Sequence, residues 1–201
     1  MGGSPLVVAT RNDHKLAELA EILDRFELKP MPEHLSSPEE TGKTFAANSL
    51  IKARACFEAT GQPALADDSG IEAAALGGRP GVHSARYAGA GARDEENLAK
   101  LLAELAPHED RSIAYVCVLA FVAPGGTELL AEGRCKGLLA SKPRGGGGFG
   151  YDPAFIPTDT PADDLRTMAE LSPAEKHAIS HRGRAARRMA AILGGGPGEG
   201  S

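Results

Sequence analysis

Asp67-Asp68-Ser69-Gly70 follows the apolar run Ala64-Leu65-Ala66. Two adjacent carboxylates at the end of a short buried strand are electrostatically costly unless a cation or hydrogen-bond donors offset them. A helix cap or turn is the bland alternative for such a tetrad. Elsewhere the sequence offers Glu40 as a further carboxylate, and Thr10, Asn12, Lys15, Lys52, Lys176, His181 and Arg182 as hydroxyl, amide and cationic groups. Carboxylate oxygens hold Mg²⁺, while ammonium and guanidinium groups balance the phosphate oxygens that the metal leaves uncovered. The set therefore suits a triphosphate with a divalent cation. Taken singly, Lys15 and Lys52 read as ordinary solvated helical lysines. His177 and His181 stand four residues apart on a helix, yet no third zinc ligand is evident, and His181-Arg182 reads more economically as a polar corner facing a ligand. Phe149 and Tyr151 suit stacking on a base and equally suit core packing.

These groups need a scaffold. Leu6-Val7-Val8-Ala9 predicts a strand, Thr10 to Asp13 a loop, and Leu16, Leu19, Ala20 and Leu23 a helix whose start exposes N–H groups to an anion. Phe26 to Pro38 reads as an extended edge and a surface loop. The next helix carries Ala46, Leu50, Ala53 and Phe57 as its apolar stripe, with Asn48 and Lys52 on another face, away from that stripe. Leu98, Leu101, Leu102 and Leu105 mark a packed helix over Asp94 to Leu105. Ile113 to Val122 is a central strand, and alternation after Pro124-Gly125-Gly126 predicts a hairpin partner with one wetter face. Lys142 to Gly148 reads as a flexible basic segment entering the rigid turn Phe149-Gly150-Tyr151-Asp152-Pro153. Ser172-Pro173-Ala174-Glu175 specifies a helix start, with the helix continuing towards Leu193 and a mobile tail over 194–201.

The 201 residues accommodate one domain or two tightly joined lobes, and a composition of 42% hydrophobic and 24% charged residues excludes global disorder. A formal charge of −5 argues against broad capture of a nucleic acid polymer, so phosphate binding is expected to be local. Cys56, Cys117 and Cys135 are odd in number and widely spaced, which favours buried reduced thiols in a cytoplasmic setting. No signal-like N-terminus or membrane-length apolar run occurs. Gly145 to Gly150 lacks the Lys-Ser/Thr of a P-loop, no dinucleotide fingerprint follows the first strand, and Ser69 and Ser84 lack a nucleophile-elbow context.

Six motifs in one order carry a resemblance that composition does not. They are Val8-Ala9-Thr10-Arg11-Asn12-Asp13-His14-Lys15, Glu40-Thr41-Gly42-Lys43-Thr44-Phe45, Ala66-Asp67-Asp68-Ser69-Gly70-Ile71, Leu76 through Tyr87, Gly148 through Pro153, and Ser180-His181-Arg182-Gly183. Between Leu6 and Leu193 the chain resembles the noncanonical purine nucleoside triphosphate pyrophosphatases, the inosine/xanthosine triphosphate pyrophosphatase family. The resemblance implies an elongated α/β fold with a mixed central β-sheet and flanking helices. It further implies a single domain over 1–193 with two lobes around a nucleotide-binding cleft, a homodimer, and Mg²⁺-dependent hydrolysis of dITP, ITP and XTP between the α and β phosphates. The role implied is removal of deaminated purines from the nucleotide pool.

Carried onto this sequence, the resemblance makes Thr10, Arg11, Asn12, Asp13, His14 and Lys15 the phosphate-contacting segment. Asp68 activates water and binds metal with Glu40, while Lys15, Lys52 and Lys176 offset charge in the transition state. Ser69 contacts substrate, Phe149, Gly150, Tyr151 and Asp152 form the base-pocket turn, and Lys176, His181 and Arg182 form a late cluster around base and phosphate. Asp67 is a further metal candidate. Arg11, Asp13 and His14 stand where small residues are commoner, and Ala47-Asn48-Ser49 stands where Glu-Asn-Ala is commoner. Two other readings remain: a nucleotide-binding protein without turnover, and a related pyrophosphatase for another modified nucleotide, including a pyrimidine.

Overall fold

Leu6-Val7-Val8 is apolar on both faces, and it forms β1 (Leu6–Val8), buried throughout and paired in parallel with β2 (Leu28–Pro30) and β3 (Ala64–Ala73). The structure, a computed structural model, describes residues 5–194, excepting the side chains of Asp13 and His14. The remaining strands are β4 (Ser112–Ala123), β5 (Thr127–Leu139) and β6 (Phe155–Pro157), and the sheet order is β2-β1-β3-β4-β5-β6. Only three residues join β4 to β5, a connection that requires an antiparallel pair, and β5 runs antiparallel to β6. The sheet is thus mixed, as expected. Strict alternation holds from Ala131 to Leu139, where odd positions are buried and even ones exposed.

The chain divides into two compact units. One contains residues 5–68, 117–133 and 182–194 of the described chain. Here α1 (Asp13–Ile22) and α5 (His181–Gly194) bring Leu19, Leu23, Ala185, Ala186 and Met189 onto Leu6, Val8, Leu65, Cys117 and Leu119. α2 (Phe45–Thr60) packs Ala53 and Cys56 on the opposite face, against Val7, Ala64, Ala66, Ala120 and Val122. The expected stripe on α2 is rotated: Ala46, Leu50 and Phe57 are half-buried, and Asn48, expected to point away from the apolar face, is fully enclosed. On α1, Ala20 is exposed.

The other unit contains residues 69–116 and 134–181. α3 (Asp94–Leu105) buries Leu98, Leu101 and Leu105 in a core with Ile71, Ile113, Tyr115, Cys135, Leu139 and Phe155. α4 (Pro173–Ile179) begins at the expected reciprocal cap: Glu175 N donates to Ser172 Oγ at 3.3 Å and Ser172 N donates to Glu175 Oε2 at 2.8 Å. It does not continue to Leu193. Ser180 takes an extended ψ of 139°, and α5 starts afresh at His181. Gly194 closes α5 rather than opening a tail, and residues 195–201 lie outside the described residues. The segment expected to be flexible is tied down, since Arg144 N donates to Pro153 O, Gly147 N to Ala169 O and Thr167 Oγ1 to Arg144 O. Cys56, Cys117 and Cys135 are buried free thiols, and no helix among the described residues is long and apolar enough to cross a membrane.

Candidate functional site

Asp67 and Asp68 do not end a short strand; they lie inside β3, which runs on to Ala73. Successive strand residues point to opposite faces, so the carboxylates part company. Asp67 joins Leu65 on the α1/α5 face, where Lys15 Nζ reaches its Oδ2 at 2.8 Å and Arg182 Nε lies at 3.5 Å. Arg182, 7% exposed, also donates through Nη1 to Glu18 Oε2 at 2.6 Å. Burial alone raises the Asp67 pKa, but Lys15 and Arg182 outweigh it and hold the carboxyl well below its ordinary range.

Asp68 joins Ala66 on the α2 face. Lys52 Nζ donates to its Oδ1 at 3.0 Å and to Glu40 Oε1 at 2.8 Å, while Asn48 Nδ2 donates to Asp68 Oδ2 at 3.2 Å. Burial lifts the Asp68 pKa, Glu40 adds to that, and the Lys52 and Asn48 donors only partly counter it. Lys52 experiences the converse: burial lowers its pKa, but Asp68 and Glu40 overcome that and hold the ammonium above its usual value. Asn48 is anchored in turn by Gly42 N, which donates to its Oδ1 at 2.8 Å, and a Cβ at Gly42 would lie 2.6 Å from that oxygen.

The loop before α1 is organised by its own polar groups. Asn12 N donates to Thr10 Oγ1 at 3.1 Å, and Asn12 Oδ1 caps the helix by accepting from Lys15 N at 3.1 Å. Arg11 is exposed and donates to the carbonyls of Glu33 and Leu35. Asp13 and His14 occupy the first positions of α1, with side chains outside what is described.

In the other unit, Asp152 is a buried hub. Its Oδ2 accepts from Lys176 Nζ at 2.6 Å and Phe149 N at 2.9 Å, and its Oδ1 accepts from Tyr115 OH at 3.0 Å. Gly148, at φ +76°, passes so close that a Cβ would lie 2.2 Å from Asp152 Oδ2. Gly150 N donates to Asp94 Oδ2 at 2.8 Å and Tyr151 OH to Ser84 O at 2.7 Å, so the turn is held on three sides. Phe149 remains 67% exposed, with Lys176 Nζ 5.0 Å from its ring centroid. His181 stacks on Tyr115, and Ser69 follows Asp68 on β3, half-buried.

Residues 6–192 match the model of the Ham1 family. The chain belongs to the Ham1 family. The dITP/XTP pyrophosphatase of Geobacter sulfurreducens is 49% identical over 195 residues, covering 94% of this chain and 96% of that protein. The dITP/XTP pyrophosphatase of Mycobacterium tuberculosis is 50% identical over 193 residues, covering 90% of each. Among solved structures, a HAM1 protein from Coxiella burnetii aligns with a TM-score of 0.87 and 43% identity over 96% of this chain and 100% of its own. A nucleoside-triphosphatase / dITP/XTP pyrophosphatase from Mycobacterium abscessus gives 0.76 and 47%, covering 94% and 98%. Ham1 membership bears out the resemblance drawn from the ordered motifs.

Within this Ham1 chain, the structure groups Lys15, Asp67 and Arg182 on one face of β3 and Glu40, Lys52 and Asp68 on the other. Lys176, read with the phosphate-facing cations, sits on Asp152 and the Phe149 ring. Arg182, read as part of a ligand-facing corner, is a buried cation between Glu18 and Asp67. Glu18, Asn48, Asp94 and Tyr115 were not singled out for the site. Signals existed for three: Glu18 lies three residues after Lys15, Asn48 four before Lys52, and Tyr115 is the polar-tipped aromatic of an otherwise apolar strand. For Asp94, only its place in the first turn of a helix stood out. Among the described residues no group of three or more His, Cys, Asp or Glu side chains is placed to hold a metal ion.

Proposed function

We propose that this chain is a nucleoside triphosphate pyrophosphatase that hydrolyses dITP, ITP and XTP between the α and β phosphates, giving the nucleoside monophosphate and pyrophosphate. The observation that carries the reading is Asp68: a buried carboxylate that shares Lys52 with Glu40 and is held by Lys52 Nζ at 3.0 Å and Asn48 Nδ2 at 3.2 Å. A carboxylate tuned upward is a better proton acceptor near neutral pH than an ordinary one. Relatives about half identical over at least nine-tenths of the chain bear the name dITP/XTP pyrophosphatase, which supports the bond and base choice.

In this reading Asp68 orients the attacking water and takes its proton as the new phosphorus–oxygen bond forms and the anhydride bond to the pyrophosphate leaving group breaks. Lys52 and Lys15 supply ammonium charge to the phosphates, with Thr10, Arg11, Asn12, Asp13 and His14 forming the phosphate-side loop and helix start. Asp67 faces two cations, hydrogen-bonded to Lys15 and within 3.5 Å of Arg182, so we read it as the anchor of Lys15 rather than as a metal ligand. Glu40 and Asp68 share one ammonium, a set with one negative charge in excess and hard oxygen donors. That donor set fits Mg²⁺, which takes one or two carboxylates and completes its shell with substrate phosphates and water. When bound, Mg²⁺ neutralises phosphate charge. Phe149, Gly150, Tyr151 and Asp152, together with Lys176, His181 and Ser69, serve the base and sugar end, where hydrogen-bond donors favour the C6 carbonyl of hypoxanthine and xanthine over adenine's amino group and the surrounding pocket rejects guanine's C2 amine. Buried free thiols support a cytoplasmic setting, and a homodimer belongs to the same reading.

The test is release of pyrophosphate and monophosphate from ITP, dITP, XTP, ATP, GTP, dTTP and dUTP, with and without Mg²⁺. Mg²⁺-dependent cleavage of ITP and XTP with little from ATP or GTP is expected. Comparable kcat/KM across the purines would refute the selectivity, and binding without cleavage would refute the enzyme.

A further inference from the structure

Tyr115 touches both parts of the second unit's cluster without being one of its expected contacts. It is a buried residue of β4, and its ring lies nearly parallel to Phe155 at a centroid separation of 4.5 Å and to His181 at 4.9 Å. Its hydroxyl donates to Asp152 Oδ1, on the carboxylate whose other oxygen holds Lys176 and the Phe149 amide. One stiff side chain therefore faces His181 through its ring and grips the Phe149–Asp152 turn through its hydroxyl.

We propose that Tyr115 is a positioning residue for base selection, fixing the His181 plane and the Asp152 carboxylate so that a purine meets a preformed edge. This rests on the reading of Phe149 to Asp152 and His181 as base contacts. Asp152 is buried, and a buried carboxylate that loses a donor turns to recover one. Turning Oδ1 moves Oδ2, on which Lys176 and the Phe149 amide depend. Phenylalanine at this position keeps volume and stacking and removes only the hydroxyl. Since the proton-transfer chemistry is assigned to Asp68, the loss falls on substrate binding and discrimination rather than on turnover.

The experiment measures kcat and KM for ITP and GTP, with melting temperatures, on the full chain and on Y115F, D152N and the double variant. Y115F is expected to raise KM for ITP about tenfold with kcat within about twofold, and to narrow the ITP over GTP preference about tenfold. The double variant is expected to match D152N, because the hydroxyl acts through that carboxylate. Unchanged KM and preference in Y115F overturn the proposal, as does an equal fall in kcat for both nucleotides or a double variant worse than D152N by the full Y115F effect. Wild-type KM and preference in D152N also overturn the proposal, whether or not Y115F folds, since the hydroxyl would then act through a carboxylate that selection does not use. If the unaltered chain itself fails to prefer ITP, the base-contact reading falls and Tyr115 with it; if it prefers ITP and Y115F changes nothing, only the role of Tyr115 falls.

Discussion

Asp67→Asn tests whether the first carboxylate of the pair is an anchor. The amide keeps the volume of the acid, so no cavity forms, but Lys15 and Arg182 lose the charge that both face at 2.8 Å and 3.5 Å. Removing one partner of a buried ion pair costs about 3–5 kcal/mol. Lys15 retains 26% side-chain exposure and recovers some hydration, which places the cost at the low end, about 3 kcal/mol. At roughly 2–4 °C per kcal/mol for a chain of this size, the melting temperature should drop by about 6–12 °C. The pH profile carries a second signature. Because the folded pKa of Asp67 lies below its unfolded value, its stabilisation is complete above the unfolded pKa of about 3.9 and is lost as pH falls towards the folded value. The gap between wild type and Asp67→Asn should therefore stay level from about pH 8 to pH 5 and narrow only below about pH 4. Urea or thermal unfolding across that range is the assay. A drop under about 2 °C at neutral pH, or a gap that widens on acidification, would refute the anchor role.

Asp68→Asn should do the reverse, lowering kcat by about 10²–10⁴ while leaving the urea midpoint unchanged or raised, since burial makes its ionised form costly; near-normal turnover at saturating substrate would end its assignment as the base. Gly148→Ala forces a side chain into a left-handed conformation and onto Asp152 Oδ2, so KM for ITP should rise and stability fall by about 1–3 kcal/mol. Gly146→Ala, where a Cβ meets nothing, is the matched control for the same kinetics and melts. Leu101→Ala on α3 should lower unfolding free energy in urea by about 2–5 kcal/mol with KM unchanged, because Leu101 is wholly enclosed by core.

Elements with a self-contained signal were legible in the sequence. α3 spans the stretch marked by its leucines, α4 begins at its Ser-Pro-Ala-Glu cap, and β5 alternates as written. The break at Ser180 was not, because one extended residue between two helical patterns leaves the apolar period almost undisturbed. The length of β3 was hidden for a different reason. Alternation identifies a strand when one face is wet, whereas Asp67 and Asp68 are both buried and polar, so the run looks as if it ends where its most consequential residues begin.

What makes that burial tolerable comes from far along the chain, and this decides which of the two acids is free to react. Asp67, Lys15, Arg182 and Glu18 balance charge for charge on the α1/α5 face. Glu40, Lys52 and Asp68 on the α2 face carry one negative charge in excess among themselves, in a place where burial already disfavours ionised Asp68. Two side chains alike in sequence are thereby driven apart in proton affinity by the different partners that the two faces of the strand supply, and such a split is what separates a structural carboxylate from one suited to accept a proton. Exchange of the roles would require β3 to slip by a single residue, which would also turn Leu65 and Ala66 to the wrong faces. The hydrophobic register that builds the sheet is therefore the same constraint that assigns the chemistry.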